Sequence, residues 1–157
     1  MFNLKIYSGG KKAEYKALSA AVTYVVDDMN FKNSLLKIED KFGIKLSALQ
    51  IKNITSKEGS EIPLSKSSGH PDSIIISKVK LDKKFSVNYF RNHLAGVIQK
   101  LEKEKIENLY LFFPEFNSFS YYFDKEEYYY RSFIEGLFLG NYSFDKFKKD
   151  KKEPNIY

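Results

Sequence analysis

Three short, nearly unbroken apolar runs, with one long amphipathic stretch between the last two, leave this 157-residue chain few folds to choose from. The runs are Ala20-Ala21-Val22-Thr23-Tyr24-Val25-Val26, Ile74-Ile75-Ile76 and Leu109-Tyr110-Leu111-Phe112-Phe113. A strand with apolar residues at successive positions is covered on both faces, the pattern of a sheet with helices on either side. Between the second and third runs, Val87, Phe90, Leu94, Val97, Ile98 and Leu101 recur at steps of three and four. That period predicts a helix over 86–102 with Ser86 as its N-cap. Strand, helix and strand at this spacing make a parallel crossover unit. The fold class that follows is α/β, a three-layer α/β/α arrangement with a mixed, mostly parallel sheet and helices on both faces.

The remaining segments fit around that unit. Residues 2–8 alternate apolar and polar and read as a strand, and Gly9-Gly10-Lys11-Lys12 reads as a turn. Residues 18–26 form the next strand, ending at Asp27-Asp28. Residues 33–54 predict two short helices broken at Gly43, with Leu35, Leu36, Ile38 and Phe42 inward on the first and Leu46, Leu49 and Ile54 inward on the second. A short strand follows near 61–65, then a turn over 67–72 and strands over 73–81 and 109–113, the last stopped by Pro114. A closing helix is expected over 126–141, with Tyr130, Phe133, Ile134, Leu137 and Phe138 on a stripe facing the sheet. Gly136 costs about 1 kcal/mol in a helix interior relative to alanine, so it marks a close approach to a neighbouring element. Tyr142, Phe144 and Phe147 are expected to anchor the turn that follows.

Composition narrows the function classes. There is no cysteine, which removes disulfides, thiolate metal sites and cysteine nucleophiles and suits a reducing compartment. No apolar run reaches the roughly eighteen residues of a membrane span, and the N-terminus does not read as a signal peptide. One soluble, cytoplasmic domain is the expectation. The net charge is +6, and the only arginines are Arg91 and Arg131, all other basic residues being lysine. Five of those lysines lie between Lys146 and Tyr157. Phosphate and base recognition favours arginine, so the lysines read as a solvated surface. Tyr110 to Phe147 holds 16 of the 26 aromatic residues. Interleaved with lysine, these could stack single-stranded bases, but no RNP-type segment is present. Nucleic-acid binding is left open and is not indicated.

Catalytic chemistry is hard to find. His70 and His93 are the only histidines, one in a turn and one on the helix, and each reads as exposed or simply hydrogen-bonded. The chain has no H-E-x-x-H, G-x-S-x-G or G-x-G-x-x-G, and Gly-Gly-Lys-Lys lacks the spacing of a phosphate loop. Asp27-Asp28, Glu126-Glu127 and Glu102 with Glu107 read as solvated or helix-capping acids. No catalytic, cofactor-binding or metal-ligating residue is assigned.

One segment is informative. Glu135-Gly136-Leu137-Phe138-Leu139-Gly140-Asn141-Tyr142-Ser143-Phe144-Asp145-Lys146-Phe147-Lys148 resembles the end of the N-terminal domain of the leucyl (cytosol) aminopeptidases, peptidase family M17, with its E-G-x-x-L-x-x-Y-x-F-x-x-Y-K pattern. Glu135, Gly136, Leu139, Tyr142, Phe144 and Lys148 match, and Phe147 stands for a tyrosine. The order of strands and helices is also similar. Two departures mark a divergent member: the family's glycine-rich turn after the third main strand is Ser77-Lys78-Val79-Lys80 here, and Gly59 only echoes an F-x-G-x-x-G-like segment.

The resemblance implies a macro-domain-like unit over 1–147 and a lysine-rich linker over 148–157 toward an absent C-terminal catalytic domain. It also implies that catalysis, with two divalent metals (zinc or manganese), belongs to that other domain, and that the parent is a homohexamer. This chain alone would then be a non-catalytic accessory domain supporting assembly or regulation. The alternative is a standalone macro-like module binding a nucleotide, ADP-ribose or nucleic acid beyond the carboxyl ends of the strands. The run Lys149-Asp150-Lys151-Lys152-Glu153-Pro154 has no apolar residue to bury. Limited trypsin digestion is expected to cut first among Lys148–Lys152. Protection there would place the tail against the domain instead.

Overall fold

The computed structural model describes residues 19–26, 31–56, 59–63 and 70–142. The elements run β1 (Ser19–Val26), α1 (Phe31–Phe42), α2 (Ala48–Ser56), β2 (Gly59–Pro63), β3 (Ser73–Val79), α3 (Val87–Lys103), β4 (Asn108–Leu111), a single 3₁₀ turn at Phe116–Ser118, and α4 (Glu126–Asn141). The expected strand over 2–8 and the anchors Phe144 and Phe147 lie outside the described residues. So do Gly9–Lys12, Asp27-Asp28 and the lysine-rich tail.

The sheet has the order β2-β3-β1-β4. β1 pairs in parallel with both β3 and β4, while β2 is antiparallel to β3. The sheet is therefore mixed and mostly parallel, as the apolar runs require. Every residue of β1 and β3 is buried. Along β1 the side chains alternate between two cores. Ala20, Val22, Tyr24 and Val26 face α3 and α4, whereas Ala21 and Val25 face α1 and α2. Ser77, Lys78 and Val79, which stand where the family pattern has a glycine-rich turn, belong to β3 as the expected strand over 73–81 requires, paired with Tyr24, Val25 and Val26.

Local signals set the helix ends. Gly43, at φ 61, closes α1 in the left-handed region. Its N–H bonds to the Asp40 carbonyl at 3.3 Å and that of Ile44 to Glu39 at 3.0 Å, the paired bonds of a Schellman cap. Ser47 and Gln50 form a reciprocal capping box at the start of α2, with bonds of 2.8 and 3.2 Å. Ser86 caps α3 as expected, its hydroxyl accepting from the Tyr89 N–H at 3.0 Å. On α1 and α2, Leu35, Ile38, Phe42 and Ile54 are buried. Leu36 and Leu49 are not, at 56% and 67% exposure. Leu36 neighbours Leu35 along the helix and so points away from it, and Leu49 lies in the first turn of α2, ahead of its buried face.

In α4 the buried face lies about one position away from the expected stripe. Its buried residues are Tyr129, Ser132, Phe133, Gly136, Leu137 and Gly140. Phe138 is 59% exposed, Tyr130 is exposed and Ile134 is half-buried. The cause is the small residues: Ser132, Gly136 and Gly140 define the inward face, and a count of large apolar side chains passes over them. The helix packs chiefly on α3, reaching the sheet through an edge contact of Phe133 with Tyr24 (centroids 5.5 Å). Gly136 does mark a close approach. A Cβ there would lie 2.9 Å from the Leu94 side chain and 3.0 Å from the Arg91 carbonyl oxygen. Gly140 is tighter still, at 2.6 Å from the Ala95 carbonyl oxygen and 2.7 Å from Ile98 Cβ.

The obstacles at Gly140 include backbone atoms, which cannot swing aside. Gly140→Ala gains at most about 1 kcal/mol of helix propensity against an overpacking cost of about 1–3 kcal/mol. A net loss of stability is expected in urea denaturation. Gly96, also in a helix, faces open space, so Gly96→Ala is expected to be neutral or stabilising by up to about 1 kcal/mol. A Gly140→Ala variant more stable than the parent would refute the tight contact.

Candidate functional site

The polar groups most suggestive of chemistry turn out to be held by the domain's own residues. His70 is exposed. The Nε2 of His93 lies 2.7 Å from Ser77 Oγ, which looks at first like a nucleophile with its base. Ser77, however, is 3% exposed in the middle of the fold, so no substrate reaches it, and the pair fastens α3 to β3. Lys78 is buried too. Its Nζ donates to the Thr55 carbonyl at 2.8 Å, at the C-terminal turn of α2 where the helix dipole favours a cation. The Tyr129 hydroxyl donates to the Pro114 carbonyl at 2.7 Å. Burial raises the pKa of Tyr129, and likewise that of Tyr24, well above the usual tyrosine range. Both stay protonated near neutral pH and neither is a base.

The acids are similarly accounted for. Glu126 and Glu127 occupy the first turn of α4, where negative charge suits the dipole, and Glu126 accepts from the Tyr130 hydroxyl at 3.0 Å. Glu102 and Glu107 are both exposed. Among the described residues no three His, Asp or Glu side chains are placed to hold a metal ion. No helix there is long and apolar enough to cross a membrane. Much of the aromatic-rich half is core: Phe119, Phe123, Tyr129 and Phe133 are buried and pack on Phe90. These rings cannot serve as a platform for bases.

What the fold does present is a shallow groove along α3 and α4. It is lined by Asn88 and Arg91 from α3 and by Glu135, Phe138, Leu139 and Tyr142 from α4 and its end. A second depression adjoins it, sharing Glu135 and Phe138 and extending past Ile134 to Tyr130. Both linings are mainly apolar. The groove exists because α4 turns its small residues toward α3, so the large ones on the next face have nothing to cover them.

The chain's two arginines meet in this groove. Arg131 Nε donates to Glu135 Oε1 at 3.0 Å, one helical turn away. Arg91 pairs with the other oxygen of the same carboxylate and also donates to Asn88 Oδ1 at 3.3 Å. The Arg131 hydrogen bond, with Arg91 beside it, holds the Glu135 carboxyl below the usual carboxylate range. The Arg131–Glu135 spacing is readable in the sequence as an i,i+4 pair. The Arg91 contact is not, because it depends on how α4 lies across α3.

The model of the N-terminal domain of the cytosol aminopeptidase family matches residues 22–151. The match takes in every described element, beginning inside β1. Comparison with curated proteins and with solved structures gave no match.

The Glu135 pair carries a pH signature. A carboxyl whose pKa is lowered on folding contributes stability above its unfolded pKa and loses that contribution as pH falls through the folded value. Glu135→Gln is therefore expected to cost a little stability at pH 7, with the difference shrinking as pH falls below the ordinary glutamate range of about 4. Urea titrations of both proteins at pH 7 and pH 3 check this. An undiminished gap at pH 3 would mean the ion pair is not the source.

Proposed function

We propose, for this chain, which belongs to the cytosol aminopeptidase family as its N-terminal domain, a non-catalytic accessory role within a metal-dependent leucyl aminopeptidase. The observation that carries the reading is the family match across residues 22–151. It agrees with the local resemblance of Glu135, Gly136, Leu139 and Tyr142. In this reading the parent releases N-terminal amino acids from peptides, and two divalent metals, zinc or manganese, act in a separate C-terminal unit. The domain proper spans 1–147 and residues 148–157 connect it to that unit. Its contribution is to assembly or regulation of the parent, a cytoplasmic homohexamer in which the domain keeps a macro-like topology.

The division of labour has a direct test. The 157-residue chain, incubated with leucine amides and with Mn²⁺ or Zn²⁺, is expected to give no hydrolysis above buffer. The polypeptide encoded by the complete reading frame is expected to hydrolyse them and to lose that activity on chelation. Metal-dependent turnover by the 157-residue chain would overturn the proposal.

A further inference from the structure

We propose that the groove along α3 and α4 is the surface on which the catalytic unit of the same polypeptide docks, an inference that rests on the accessory-domain reading above. Its first support is proximity along the chain. Tyr142, at the end of α4, is itself part of the groove lining, and in the accessory-domain reading only the segment up to residue 157 separates it from the catalytic unit. A unit tethered there meets the groove at high effective concentration, and a modest contact is enough to hold it.

The second support is chemical. Gly136 is explained by packing inside the domain. Leu139 is not, because it is 53% exposed. It carries part of the family resemblance, and with Phe138 and the ring of Tyr142 it forms an apolar strip beside α3. The one carboxylate in the groove, Glu135, is already matched by Arg91 and Arg131, so covering the strip strands no unpaired acid. An apolar centre with a charged rim is the make-up of a protein–protein contact. Arg131, whose side chain is 75% exposed, is the rim cation, and a carboxylate on the catalytic unit is the group that matches it. Leu36 and Leu49 are as exposed but lie on the α1–α2 side of the sheet, away from the end of α4.

The test uses the polypeptide encoded by the complete reading frame. A photoreactive p-benzoylphenylalanine in place of Leu139 puts the crosslinker in the groove, and one in place of Leu36 puts it on the opposite side. Light-induced crosslinks from position 139 are expected to map, by mass spectrometry, to residues beyond 157 of the same polypeptide, and those from position 36 are not. Adding Phe138→Asp is expected to cut the yield about tenfold, the scale of losing one interface anchor. Because Phe138 is exposed, that change leaves the domain folded. Crosslinks only to the equivalent domain of a second copy, only within the domain itself, or none at all would overturn the proposal. Leucine-amide hydrolysis by the same samples separates the failures. Activity without the crosslink sinks the groove and spares the accessory-domain reading, whereas an encoded polypeptide with neither metal ligands nor activity sinks both.

Discussion

Burial of β1 on both faces is the constraint from which the rest of the structure follows. A strand with alternate residues in two separate cores needs a helical layer on each side, and its two ladders need partners. β3 and β4 supply the ladders, both parallel. Parallel neighbours cannot be joined by hairpins, so the connections must cross over. α1 and α2 fill the crossover on one face and α3 fills it on the other. With those positions taken, α4 packs on the outer flank of α3 and the nearby edge of the same core.

That placement decides the character of α4. Reaching the core past α3 demands a close approach of two backbones, and Gly136 and Gly140 permit it, with Ser132 one turn before them. The paired contacts advance together along both helices, from Phe90 with Tyr129 and Phe133, through Leu94 with Gly136, to Ala95 and Ile98 with Gly140. The helices therefore run in the same direction. A helix that spends its inward face on glycine and serine must carry its larger apolar residues elsewhere. Tyr130, Phe138 and Leu139 stand outside the contact for this reason, and the groove is the consequence of the glycines.

Strands and helices were legible to within a few residues because their signals are local. Ile74-Ile75-Ile76 has no helical alternative with turn residues on its N-terminal side, and Ser86 announces α3 one residue before it starts. Register and facing were less legible. Leu36 and Leu49 were assigned inward for being large and apolar, although what decides facing is which side meets the sheet. The phase of α4 is hard to read for a similar reason, since a glycine gives no hydrophobic signal even where it makes a close helix contact. A lysine inside a buried strand is unusual, and the carbonyl of Thr55, which accepts from Lys78, comes from a distant part of the chain. The groove was invisible for the same reason: half of it is α3 and half α4, and nothing local says they touch.

The charges in the groove bear on what such a surface can do. An isolated carboxylate facing an apolar partner would be costly to cover, because desolvation of the ion outweighs what weak contacts return. Glu135 escapes that penalty through two arginines, one fixed on α3 and one on its own helix. Arg91 is the less exposed of the two, and its carbonyl oxygen faces Gly136 of α4. That leaves Arg131 to meet solvent or an opposing acid. The arrangement resembles a protein interface in its economy: apolar area at the centre, a charge already paired within it, and one cation at the edge to set orientation. Ser77, His93, Lys78 and Tyr129 lie apart from it, each with a partner inside the fold.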